Sequence, residues 1–170
     1  MSFVISKLNK LPSFPFRKNW QKYQVGGTIK TNGTARMIKP VEILLIEDNA
    51  GDILMVRQAL ADEQFPINLH VAMDGKQAVQ ILAAHHFQPD LVILDLNIPK
   101  ISGLSVLECS QSSVPVVVFS SSNSPQDRQC AFELGAKDFV QKPTDLVAYG
   151  RAVSDMVRNW AMPEASASQA

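Results

Sequence analysis

At 170 residues and 46 % hydrophobic content, the chain is long enough for one domain with a real core plus tails. Its zero net charge hides an asymmetry, since residues 1–40 carry eight Lys or Arg and no acid, whereas residues 41–170 carry all sixteen acids against eight Lys or Arg. Two isolated cysteines, Cys109 and Cys130, exclude a disulfide framework or thiolate metal site, and no apolar run approaches the ~18 residues of a membrane span.

The start of the chain also lacks the apolar core of a secretory signal, so a cytoplasmic protein is expected. Residues 1–40 show no sustained periodicity, with Pro12, Pro15, Gly26, Gly27 and Gly33 breaking them up. A disordered basic N-terminal extension is the leading reading. The alternatives are a surface for membrane or nucleic acid, an organellar transit peptide, and translation that starts at Met37.

From Val41 the pattern becomes regular. Apolar runs at Val41–Ile46, Ile67–Ala72, Leu91–Leu94, Pro115–Phe119 and Phe139–Val140 predict strands. Amphipathic segments 52–62, 75–84, 103–109, 126–134 and 145–160 predict helices, the last with Leu146, Tyr149, Gly150, Val153, Val157 and Trp160 on one stripe. Gly135 suits a positive-φ helix stop, and Cys130 is expected on the inner side of the fourth helix. The alternation predicts a doubly wound α/β domain over 41–160, with five parallel strands in the order 2-1-3-4-5 and helices on both faces. Residues 161–170 read as a disordered tail. His70, His85 and His86 are expected at surface or edge positions, without a role.

The chemistry is read from what ends each strand. The third strand, Leu91–Leu94, runs into Asp95, and Pro99 then forces an extended exit. The first ends in Glu47-Asp48-Asn49, the fourth in Ser120-Ser121-Ser122 and the fifth in Lys142-Pro143. In the expected order the first and fourth strands flank the third at about 4.8 Å, and a lysine stem can span the remaining strand. Crowded carboxylates without His or Cys select a hard cation, Mg²⁺, which commonly shares its shell with a phosphate. A hydroxyl and an ammonium opposite would complete a cage for a phosphoryl group on Asp95, a carboxylate nucleophile.

These residues resemble the receiver domain of two-component response regulators. Ile46-Glu47-Asp48-Asn49, Leu94-Asp95-Leu96-Asn97-Ile98-Pro99, Phe119-Ser120-Ser121, Gly135-Ala136 and Lys142-Pro143 fall in that family's order and spacing. The resemblance implies a flavodoxin-like receiver fold with Asp95 as phospho-acceptor, forming a 4-aspartylphosphate. It implies Asp48 as the direct Mg²⁺ ligand, Glu47 as the outer acid bound through water, and Asn97 as a backbone-carbonyl ligand. Ser120 is similar to the family's switch hydroxyl, Phe139 to its switch aromatic, and Lys142 to its phosphate-pairing lysine, usually held before a cis proline. Glu-Asp-Asn-x-Gly-Asp at 47–52 and the ending Asn159-Trp160 are similar to stand-alone receivers that partner phytochrome histidine kinases. Ser102-Gly103 departs from the family's usual Asp-Gly, and Ser caps a helix about as well as Asp.

The function so implied is a single-domain switch in a phosphorelay, phosphorylated on Asp95 by a histidine kinase with Mg²⁺. It would signal through the face of the fourth helix, fifth strand and fifth helix, with homodimerisation as one output and no direct contact with nucleic acid. It would not be an enzyme beyond its own phosphoryl acceptance and slow loss. A rival reading is a phosphohydrolase with an Asp nucleophile, which wants a second acid where Asn97 stands. Another is a degenerate receiver, which would lack an acid or the lysine; neither is missing.

Overall fold

A computed structural model of the chain describes residues 21–25, 39–84, 87–110 and 114–162. Most of the extension and tail predicted to be disordered lies outside these residues, as do His85 and His86.

The elements are β1 (Gln21–Val25), β2 (Val41–Ile46), α1 (Ala50–Ala61), β3 (Ile67–Ala72), α2 (Gly75–Leu82), β4 (Leu91–Leu94), α3 (Gly103–Cys109), β5 (Val116–Ser120), α4 (Pro125–Glu133), β6 (Asp138–Gln141) and α5 (Leu146–Trp160). The sheet order is β1-β3-β2-β4-β5-β6. The five strands from Val41 onward are parallel and follow the predicted order. The sheet has a sixth member, because β1 pairs antiparallel with β3, from Gln21 opposite Val71 to Val25 opposite Ile67. The basic extension therefore contains an ordered strand. Its Tyr23 and Val25 alternate inward onto the core, and Tyr23 also lies under the Arg57 guanidinium at 3.9 Å. An open β3 edge would expose unpaired amides, and β1 covers it.

Alternation along the strands divides the core into two layers. Ile43, Leu45, Leu69 and Ile93 face α1 and α5, packing with Val56, Leu60, Tyr149, Val153 and Val157. Leu44, Ile46, Val92, Leu94 and Val118 face the other way, with Ala78, Val79, Val106, Leu107 and Ala131. Each helix starts at a side-chain cap, namely Asn49, Asp74, Ser102, Ser124 and Asp145. Ser102 caps α3 as predicted. Gly135 ends α4 with φ +98°.

Two other expectations change. Cys130 is exposed, because Ala131 takes the inward position on the short α4. His70 is 2 % exposed, since β1 makes β3 an interior strand. Its Nε2 meets the Glu42 carboxylate, which also accepts from Asn68. Burial lowers the His70 pKa and Glu42 opposes that effect. No described helix is long and apolar enough to cross a membrane.

Candidate functional site

The register of three parallel strands assembles the site. Ile46 lies opposite Leu94, and Leu94 opposite Val118, so the residues that follow emerge together at one sheet edge. Asp95 is fixed there by its N–H donating to the Ile46 carbonyl at 3.0 Å. Gly103 allows the start of α3 to lie against this strand end, since a Cβ there would come within 2.5 Å of the Asp95 carbonyl oxygen.

The Asp95 side chain is 6 % exposed and held at both oxygens. One oxygen accepts from the Ser120 hydroxyl at 2.8 Å and the Asn97 N–H at 3.0 Å. The other accepts from Lys142 Nζ at 2.7 Å. Lys142 reaches across from the end of β6, its own N–H bonded to the Ser120 carbonyl. Its ammonium also donates to Glu47 at 2.6 Å and Asp52 at 2.7 Å. Burial works against the charge on Lys142, but bonds to Asp52, Asp95 and Glu47 prevail and raise its pKa, so it stays a cation. Burial raises the Glu47 carboxyl, against the pull of Lys142.

Of the predicted site residues, Glu47, Asp95, Ser120 and Lys142 converge. Asp48 and Asn97 are exposed. Asp48 stands outside the acid cluster, and Asn97 contributes its backbone N–H. The third converging acid is Asp52, which the sequence reading did not single out. Asn49 caps α1 by accepting from Gly51 and Asp52 N–H groups, which fixes Asp52 in the first turn, facing Lys142. Its signal was available: an acid at the third position after an Asn cap is placed to reach back toward the cap.

Oxygens of Glu47, Asp52 and Asp95 lie within 4.8 Å of one another. The donors are carboxylates alone, buried or half-buried, a set suited to a hard divalent cation.

One further expectation is corrected. The described residues contain no cis peptide bond, so Lys142 precedes a trans proline. Phe139, expected as the switch aromatic, is 5 % exposed and lies inside the second core layer. Arg128 holds it there, donating to the Phe139 carbonyl at 3.0 Å with its guanidinium 5.4 Å from the ring centre.

The family described as response regulator receiver domain matches residues 43–153. Among solved structures, the phosphorylated cyanobacterial phytochrome response regulator RcpA is 30 % identical, with TM-score 0.69, covering 74 % of this chain and 96 % of RcpA. The Mn²⁺-bound form of response regulator Rcp1 is 28 % identical, with TM-score 0.66, covering 72 % and 96 %. Response regulator MprA of Mycolicibacterium vanbaalenii is 30 % identical over 120 residues, 67 % of this chain and 50 % of MprA. The chain spans 24 % to 54 % of the length of several curated relatives that it matches.

Proposed function

The chain belongs to the response regulator receiver family, and from that premise we propose that it is a phosphorylation switch that takes a phosphoryl group from a histidine kinase onto Asp95. The observation that carries the reading is the double hold on Asp95, with Ser120 on one oxygen and Lys142 on the other. In the transfer an Asp95 oxygen attacks phosphorus as the N–P bond of a phosphohistidine breaks. The imidazole nitrogen leaves with that electron pair. The groups that hold the carboxylate in the resting state then serve the three phosphoryl oxygens, Ser120 as donor and Lys142 as counter-charge.

Glu47, Asp52 and Asp95 are the residues that would hold Mg²⁺, with Asp48 available from the adjacent loop and the Asn97 carbonyl as a further ligand. When bound, the ion supplies charge neutralisation for the incoming phosphoryl group. Chemistry on this chain is confined to accepting and slowly losing that group, so it is not an enzyme toward other substrates.

The readout is a change on the α4–β6–α5 face. Ser120 drawn toward the phosphoryl group pulls the loop that begins α4, which shifts Arg128 and the Phe139 ring it holds. Phe132, Leu134, Leu146 and Val147 are exposed on α4, its end and α5, which supports a protein contact there, homodimerisation included. Similarity to RcpA supports a phytochrome-type kinase as donor, and the site of action proposed with it is the cytoplasm. The test is mass spectrometry after acetyl phosphate and Mg²⁺. One added phosphoryl group on the wild type, and none on Asp95→Asn, is expected; equal labelling of the two would refute the proposal.

A further inference from the structure

Tyr149 is a buried polar residue that the site as described leaves unused. It is 3 % exposed on α5, and its hydroxyl has no hydrogen-bond partner among the described residues. The ring stands edge-on to Phe119 at 4.9 Å, and Phe119 in turn lies 5.9 Å from Lys142 Nζ. Phenol and ammonium thus flank one aromatic ring between the sheet and the α1–α5 pair. The two helices are close, since a Cβ at Gly150 would lie 4.0 Å from that of Ala59. Burial first, then the charge of Asp52, raises the Tyr149 pKa, so the group remains a protonated donor. A buried donor without an acceptor favours any state of the molecule that supplies one.

Asp52 is the acceptor that needs a donor. Glu47 also accepts from the Asn49 N–H, and Asp95 from Ser120 and Asn97. Among the described residues the Asp52 carboxylate accepts from Lys142 alone. A lysine ammonium has three N–H donors, and all three are engaged in the resting arrangement. A new bond from Lys142 to a phosphoryl oxygen is therefore made at the expense of an old one, and Asp52, with no other side-chain or backbone donor among the described residues, keeps a carboxylate oxygen open to a new donor beside the cation it would hold.

We infer that Tyr149 is the donor of the second state: when Lys142 turns to a phosphoryl group on Asp95, the Tyr149 hydroxyl donates to Asp52 and ties α5 to α1. The inference rests on the receiver reading above. It gives α5 its own link to the charge at Asp95, separate from the Ser120 loop, and makes Tyr149 a positioning residue.

Tyr149→Phe removes the hydroxyl and keeps the ring against Phe119. Beryllofluoride with Mg²⁺, a stable mimic of the phosphoryl group, is the probe, titrated by calorimetry. Binding by the wild type supports the receiver reading itself. Tyr149→Phe is expected to bind about tenfold more weakly, the worth of a hydrogen bond to a charged group, and Asp52→Asn, which also removes a carboxylate of the cation site, more weakly still. The double variant should bind about as the weaker single variant does. The chain has two tyrosines, so a near-UV difference band that appears on binding and vanishes in both single variants marks the Tyr149 phenol. Unchanged affinity of Tyr149→Phe, or losses that simply add, would overturn the inference and leave the receiver reading intact. No binding by the wild type would overturn both.

Discussion

Lys142→Met removes the one ammonium of the site and keeps an unbranched stem of similar length. In the wild type that ammonium, on a side chain 8 % exposed, offsets three carboxylates at 2.6, 2.7 and 2.7 Å. Without it, oxygens of Glu47, Asp52 and Asp95 face one another within 4.8 Å. Each pair of like charges at that range repels by about 3 kcal/mol at an effective dielectric near 20. Breaking a buried ion pair from one side costs about 3–5 kcal/mol. Proton uptake relieves part of this, and Glu47 is the natural acceptor because burial already raises its pKa. The expected loss is about 3 kcal/mol by urea unfolding at pH 7.5 without divalent metal. Two dependences identify the cause. A carboxyl whose folded pKa is raised destabilises the fold above that pKa and is relieved as pH falls, so acidification should recover part of the loss. Millimolar Mg²⁺ should recover it as well and bind the variant more tightly than the wild type, because the cation no longer competes with an ammonium. A loss under about 1 kcal/mol, or one that neither acid nor Mg²⁺ relieves, would refute this charge-balance argument.

Gly103→Ala should damage the site from behind, since its Cβ would meet backbone atoms of Asp95 and Leu96 at 2.5 and 2.6 Å. A loss of about 1–3 kcal/mol in thermal unfolding is expected, together with weaker beryllofluoride binding; wild-type values in both would contradict the packing described. His70 gives a pH dependence of its own. Its folded pKa is lowered, by burial first and against Glu42, so the unfolded chain binds the proton more readily. Its contribution is therefore full above the unfolded value near 6.5 and declines as pH falls below it. Urea midpoints from pH 8 to 5 should fall more steeply for the wild type than for His70→Gln, and parallel curves would exclude His70 as the source.

The strand ends were legible because a parallel sheet exports its chemistry to one edge, directly after apolar runs that mark themselves. Asp95, Ser120 and Lys142 each follow such a run within two residues, and their convergence needed only the strand order. β1 was hidden for the opposite reason. Gln21–Val25 is five residues with two inward side chains, Tyr23 and Val25, in a lysine-rich stretch. What makes it a strand is an available edge on β3, more than 40 residues away in sequence. The same missing strand misplaced His70, which reads as an edge residue only while β3 is last in the sheet.

The acid pair shows a finer limit. Glu47 and Asp48 are adjacent and both follow a strand, so sequence adjacency recommends them equally. Extended backbone sends successive side chains to opposite sides, and here Glu47 turns in to Lys142 while Asp48 stays in solvent. Asp52 reaches the lysine because the Asn49 cap converts strand into helix at once and wraps the first turn of α1 back over the strand end. In a strand, residues 47 and 52 would lie on opposite faces; with a helical turn between them they share one ammonium. Which acids form the site is thus decided by where α1 begins, and a loss of the Asn49 cap should disperse the cluster even with every acid left in place.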